Sequence, residues 1–326
     1  MIQFRKPLIS DIPMLARVLS SYRGGLCDMT PGNIVMWRDY YGCELAYEEQ
    51  GGREVLWLRY AVDPDIDPDS FPDARARAYA HSYAYACPKV YCPGDENLQS
   101  DGIMHADEVK EAVDRLSEYG AHFFCCLSWE ERALLLNLFP EAEVWQDRDW
   151  NDYVYEAGKM ISLGGKHLSG QRNHINKFRS TFPDWHVEDI GDENIPAARE
   201  FLDRYYAGLA GEGKTDEVFS AERAACDEVL SNWSAYGQEG ILLFAGEKVA
   251  AFTFGEVTAG MLDIHIEKAD RSFPGAYPMV FREFAARFEG RAAYINREED
   301  CGESGLRQSK LAYKPQRMVE KYNIVC

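Results

Sequence analysis

Apolar positions along this chain recur at two different spacings, and the changes between them lay out a mixed α/β protein. From Ala106 to Gly120, Val109, Ala112, Val113, Leu116 and Tyr119 fall three and four apart, which predicts a helix stopped by Gly120. The unbroken run AHFFCCLSW then reads as a buried strand, and Ser128 with Glu131 three residues on signals the capped start of another helix. Nearer the beginning, Ile2 to Phe4 reads as a strand and the stretch after Asp11-Ile12-Pro13 as a helix with proline in its first turn. CELAYEEQ and EVLWLRYAV alternate like a hairpin across Gly51-Gly52. The Asp- and Pro-rich stretch DPDIDPDSFPD, 63–73, is a solvated loop, and EVWQDRDWNDYVYEA is extended.

The second half is patterned more clearly. HVEDI is a strand, PAAREFLDRYYAGLA a helix, and GILLFAGEKVAAFTFGEV two alternating strands about Gly246-Glu247-Lys248. MLDIHIEK is a further strand. GAYPMVFREFAARF is a helix with Val280, Phe281, Phe284, Ala285 and Phe288 on one face, and AAYIN closes the set as a strand. Strand, helix, hairpin, strand, helix, strand is the order of a GNAT-type acyltransferase, and the first half repeats it more weakly. The expectation is two tandem GNAT-like domains, 1–150 and 151–326, each a mixed central sheet flanked by helices, the second carrying the active site. A length of 326 residues suits two domains.

Composition supports a folded globular protein, with 46% hydrophobic and 13% aromatic residues. The net charge of -19 repels phosphate, so a polyanionic partner needs a local basic patch. Two windows supply one. Residues 157–183 contain no acid but carry Lys159, Lys166, Arg172, Lys177 and Arg179, and residues 305–319 contain none but carry Arg307, Lys310, Lys314 and Arg317. The nine cysteines show no paired zinc spacing and no accompanying histidine cluster, which points to reduced thiols and no metal site. No apolar stretch reaches signal-peptide or membrane-helix form, so a cytoplasmic location is expected, with peripheral contact to a membrane as an option.

In LSGQRNHINKFRSTF, Leu168, Gln171, Ile175, Phe178 and Phe182 form one helical face, leaving Arg172, Asn173, Lys177 and Arg179 to project elsewhere. A solvated surface is the bland reading of such a helix, and the absence of any acid over residues 157–183 in so acidic a chain weighs against it. A helix beginning near Glu303 aligns Arg307, Lys310 and Lys314 in one stripe, while Glu298, Glu299 and Asp300 sit at the strand end before it. Capping alone accounts for one of those acids. Three of them beside Asn296 also suit a reactive site outside strand ends. Asp263 and His265 share one face of MLDIHIEK, and no GxSxG elbow occurs, which disfavours a hydrolase triad. His167 and His174 read as surface or phosphate contacts.

DYVYEAGKMISLGGKHLSGQRNHINKF and YINREEDCGESGLRQSKLAYKP resemble two hallmark blocks of the bacterial family related to the C-terminal catalytic domain of phosphatidylglycerol lysyltransferase, and TPGNIVMWRDYY is similar to a third. The resemblance implies a soluble aminoacyltransferase that takes an amino acid from aminoacyl-tRNA to an amine or hydroxyl of a lipid, peptide or small molecule. It implies no cofactor beyond the tRNA co-substrate. Within its blocks it places Lys166, Arg172, Asn173, Lys177, Arg307, Lys310 and Tyr313 on the donor, Glu298, Asp300 and Lys310 at the chemistry and Asn296 on the acceptor; Asp263 and His265, read from the strand MLDIHIEK, join them as catalytic and acceptor-binding candidates. A usual GNAT binds coenzyme A pyrophosphate on a glycine-rich loop opening a helix. Here that place reads RSFPGAYP, with proline where glycine is expected. An acyl-CoA donor is therefore the second reading, and an idle ligand-binding module the third.

Overall fold

The structure is a computed structural model describing residues 2–93, 105–211, 213 and 216–326. Two compact units make up the chain, Met1–Asn151 with Val319–Cys326, and Asp152–Met318. The sequence pattern places 151–326 together, whereas the last strand of the chain pairs with strands of the first unit.

The first unit contains helices α1 (Ile12–Leu19), α2 (Pro31–Met36), α3 (Ala74–Tyr79), α4 (Ala106–Tyr119) and α5 (Trp129–Leu138). Its strands are β1 (Glu44–Gln50), β2 (Arg53–Ala61), β3 (Tyr83–Tyr85), β4 (Lys89–Tyr91), β5 (Phe123–Leu127) and β6 (Glu143–Gln146). Their order is β1-β2-β3-β5-β14-β6 with β4 beside β2, where β14 is the final strand Tyr322–Val325. The β1–β2 hairpin turns on Gly51 and Gly52, both at positive φ. Gly120 ends α4 in the left-handed conformation, and the Ser128–Glu131 capping box opens α5. The expected strand at Ile2–Phe4 does not form. A single bridge between Arg5 and Leu45 stands there, because Asp11 takes the Arg5 guanidinium and turns the chain into α1.

The second unit contains strands β7 (Asp152–Glu156), β8 (His186–Asp189), β9 (Glu239–Ala245), β10 (Lys248–Thr258), β11 (Met261–Ala269), β12 (Tyr294–Asn296) and β13 (Arg317–Val319), in the order β13-β7-β12-β11-β10-β9-β8. Its helices are α6 (Ala157–Ser162), α7 (Ser169–Thr181), α8 (Ile195–Gly211), α9 (Glu217–Ser231), α10 (Trp233–Tyr236), α11 (Ala276–Arg287) and α12 (Ser304–Ala312). β8, α8, β9, β10, β11, α11 and β12 reproduce the GNAT order read from the sequence. α9 escapes that reading because its apolar face is broken by Glu222, Asp227 and Glu228. One apolar cluster unites Tyr155, Phe178, Leu262, Ile264, Phe281, Phe284 and Tyr313, so α7 and α11 pack on the same face of the sheet. Among the described residues no helix is long and apolar enough to cross a membrane.

Candidate active site

The parallel pair β11–β12 lies at the middle of the second sheet, and its register joins Met261 to Tyr294, Leu262 to Ile295 and Asp263 to Asn296. On the other side of β11, Glu256 of β10 stands opposite Asp263. Residues paired this way project from the same face of a sheet, so Glu256, Asp263 and Asn296 form a polar row crossing three strands. Leu262 and Ile264, alternating with Asp263, point into the apolar cluster on the opposite face.

One residue later β11 departs from simple alternation. Gly255 pairs with Ile264 and Phe254 with Ile266, which leaves His265 as the extra residue of a bulge. Glycine is required there, because a Cβ on Gly255 would lie 2.0 Å from the carbonyl oxygen of Asp263. The bulge reverses the facing of the strand, and Ala269 beyond it rejoins the apolar cluster. Expecting strict alternation through MLDIHIEK misses this reversal.

His265 is fully enclosed and held from both sides. Nδ1 lies 2.9 Å from Glu298 Oε1 and Nε2 lies 3.0 Å from Glu256 Oε1, with no exposure of the imidazole. Burial pushes its pKa down, but the two glutamates outweigh burial and lift it to about 10. Both nitrogens therefore carry protons, so His265 is a cation between two carboxylates and not a base. Asp263 is 1% exposed, and neither of its oxygens has a hydrogen-bond partner among the described residues. Burial raises its pKa well above the carboxylate range; His265 opposes this, while Glu256, Asp152 and Glu298 add to it.

The loop after β12 is anchored at each step. Asn296 donates to Asp152 Oδ2 at 3.1 Å and accepts the Glu298 amide at 2.7 Å. Glu298 sits at φ 58 and Cys301 at φ 48, left-handed conformations that cost about 1 kcal/mol or more for non-glycine residues. Asp300 balances that cost. Fully buried, it accepts Arg307 Nε at 2.9 Å, Arg307 Nη2 at 2.7 Å, the Gly302 amide at 3.0 Å and the Tyr153 hydroxyl. Lys310, 6% exposed, donates to the carbonyl oxygens of Arg297 and Glu299, and burial lowers its pKa from the usual lysine value. Arg297 pairs with Glu267 at 2.7 Å and lies over Phe281 and Tyr313 at 4.2 and 4.9 Å. Tyr313 itself packs edge-on against Phe281.

The structure thus brings Asp263, His265, Asn296, Glu298 and Asp300 together, with Arg307, Lys310 and Tyr313 in the framework beneath their loop. The first basic window lies elsewhere on the unit. Of its cations, Lys159 pairs with Glu156, Arg179 pairs with Glu283, and Arg172 donates to the carbonyl oxygens of Leu163 and Gly165. Lys166, Asn173 and Lys177 remain exposed on and beside α7 with His167 and His174, and Lys314 is exposed after α12. The carbonyl oxygen of His174 in α7 presses on the turn that opens α11: a Cβ on Gly275 would lie 2.3 Å from it. Sequence reading missed Glu256, Asp152, Tyr153, Glu267 and Arg297. Glu256 was recoverable, since counting outward from the Ala259-Gly260 turn sets it opposite Asp263.

A family model described as phosphatidylglycerol lysyltransferase, C-terminal, matches residues 98–325. An uncharacterised protein of Mycoplasmoides gallisepticum is 22% identical over 249 residues, covering 74% of this chain and 77% of that one. A conserved protein of unknown function from Bacteroides thetaiotaomicron shares the fold at TM-score 0.79 and 29% identity, covering 100% of this chain and 99% of the other. The C-terminal domain of a putative lysylphosphatidylglycerol synthetase from Agrobacterium fabrum follows it at TM-score 0.61 and 15% identity, covering 98% and 92%.

Proposed function

This chain belongs to the phosphatidylglycerol lysyltransferase C-terminal family, and from that premise we propose that it transfers an aminoacyl group from aminoacyl-tRNA to a nucleophile bound at the β11–β12 strand ends. The observation that carries the proposal is Asp263, a buried carboxyl without a hydrogen-bond partner among the described residues, set between Glu256 and Asn296 at the central parallel pair. Burial raises the pKa of this carboxyl, so its ionised form is a stronger base than an exposed carboxylate and is suited to accept a proton from an attacking amine or hydroxyl. An activated ester needs little more than a positioned nucleophile and a dry site.

Each surrounding residue takes a distinct part. Asp263 receives the proton, while His265, fixed by Glu256 and Glu298, and Asn296, fixed by Asp152, shape the acceptor site. Asp300, Arg307, Lys310 and Tyr313 hold the loop that carries Glu298. Exposed Lys166, Asn173, Lys177 and Lys314 contact donor phosphates. The family description supports a lipid headgroup as one acceptor, beside peptides and small molecules. Cytoplasmic aminoacyl-tRNA places the reaction there, with the protein peripheral to a membrane when the acceptor is lipid. The closure of the α11 turn by α7 backbone supports tRNA over coenzyme A as donor.

The test is transfer of label from a mixed pool of radioactive aminoacyl-tRNA into the lipid, peptide and small-molecule fractions of a bacterial extract. Label entering a new fraction with the protein, and lost with Asp263→Asn, is the expected result. Retention on immobilised coenzyme A without any transfer from tRNA would overturn the proposal.

A further inference from the structure

We infer that the polar row at the ends of β10, β11 and β12 is a subsite for a primary ammonium group, gripped by Asp263 with Glu256 and Glu298 alongside. This deepens the proposed aminoacyl transfer, on which it rests for its catalytic meaning, by naming an amine where that reading leaves amine and hydroxyl open.

Geometry comes first. The row is built from paired strands, so its spacing is set by backbone hydrogen bonds rather than by mobile side chains. Its other members already have partners within the protein. Asn296 bonds to Asp152 and to the Glu298 amide, and His265 to Glu256 and Glu298. Asp263 is the exception, buried with two oxygens to which no described residue donates. Leaving a buried polar group unmatched costs about 1–3 kcal/mol, more if it is charged. The groups facing it are Glu256 from β10, His265 from its own strand, Asp152 from β7, and Asn296 and Glu298 from β12 and the loop after it. Three acids against one imidazolium favour a cation and disfavour phosphate or carboxylate.

Donor count selects among uncharged and cationic ligands. A hydroxyl brings one hydrogen, which satisfies one oxygen, whereas an ammonium brings three and can serve Asp263 together with a flanking glutamate. Burial raises the pKa of Asp263 and a captured ammonium acts in the opposite direction, so ammonium binding favours the ionised carboxylate. Where the ammonium belongs to the acceptor, it then returns a proton to the Asp263 carboxylate and the neutral amine attacks the ester carbonyl. The C–N bond forms, the bond from carbonyl carbon to ribose oxygen breaks, the proton on Asp263 passes to the ribose oxygen, and the surplus proton on the new amide nitrogen returns to Asp263. The products are an amide, a free ribose hydroxyl and one proton. The same grip suits the α-ammonium of the aminoacyl donor.

Titration calorimetry on the full chain near neutral pH, in two buffers of different ionisation heat, tests this with ethanolamine, glycinamide and ethylene glycol. Binding of either amine, with any accompanying proton released rather than taken up, and none of ethylene glycol, is expected. Ethanolamine binding assigns the ammonium to the acceptor; binding of glycinamide alone assigns it to the donor. Asp263→Asn, cooperatively folded by thermal melting, should weaken the amine about tenfold or more and abolish any proton release. Unchanged binding in Asp263→Asn, or no amine binding by the folded wild type, would each overturn the inference. Failure of tRNA transfer beside intact amine binding would instead overturn only the donor, and transfer to hydroxyls without amine binding only the ammonium.

Discussion

A parallel pair lies among antiparallel neighbours in each sheet, β3–β5 in the first unit and β11–β12 in the second, and the two pairs are furnished oppositely. In the first, Phe123, Phe124 and Leu127 fill β5 with apolar bulk and the unit's enclosed ion pair, Lys89 with Glu131 at 2.5 Å, serves the cap of α5. In the second, an aspartate, a histidine and an asparagine occupy the same kind of position. Apolar filling stabilises a strand by roughly 25 cal/mol for each Å² removed from water. Acids and a cation there return less, because desolvation offsets much of their attraction. The first sheet keeps its buried charges, Glu54 on β2 and Lys89 on β4, off its parallel pair, whereas the second places Asp263, His265 and Asn296 on its own.

The comparison breaks most readily at Asp263. Asp263→Asn should slow aminoacyl transfer about 10²- to 10⁴-fold, as loss of a positioned base does, while Cys126→Ser in β5 should leave transfer unchanged; single-turnover rates decide it. Next in size is Asp300→Ala, which removes the buried carboxylate that Arg307 and Tyr153 share and should cost about 3–5 kcal/mol in urea unfolding. Glu131→Ala should cost a similar amount in the first unit, and a markedly smaller value for Asp300 would mean that its network is not what fixes the loop.

A pH series sharpens the contrast further. His265 titrates near 10 when folded and near 6.5 when unfolded, so its stabilisation is complete below about 6.5 and is lost as pH rises toward 10. Asp263 acts with the same sign, since the folded chain holds a proton that the unfolded chain has released above about 4. Stability should therefore fall by a few kcal/mol between neutral pH and 10, and His265→Gln should flatten the curve; equal slopes in both proteins would show that the imidazole is not held as a cation. The smallest effect is expected at the surface. Lys166→Glu and Lys177→Glu should change stability by less than about 0.5 kcal/mol, yet each should reduce the salt dependence of tRNA binding by about one unit of slope in a filter-binding series.

Legibility in the sequence followed the range of the forces involved. α4 with its Gly120 stop, the Ser128 capping box and the strands around Gly246 depend on neighbours within a few residues, and all were readable. β14 was not, because four residues gain strand identity only from β5 and β6, distant in the chain. At the site, Asp263, His265, Asn296, Glu298 and Asp300 stood out as polar residues at the ends of apolar strands. What sequence could not reveal was what the cations hold. Arg172 and Lys310 bind backbone carbonyl oxygens, partners that no spacing of residue types records. Arg172, Arg307 and Lys310, three of the nine cations in these windows, are thus internal scaffolding.

The placement of β14 sets an order of events during synthesis. A ribosome delivers the whole of Asp152–Met318 before it delivers the strand lying between β5 and β6. The second unit can complete its sheet on emerging, while β6 waits unpaired until Tyr322–Val325 arrives. During that interval the unit made earlier is the one that exposes a sheet edge, and the unit made later is the first to close its sheet.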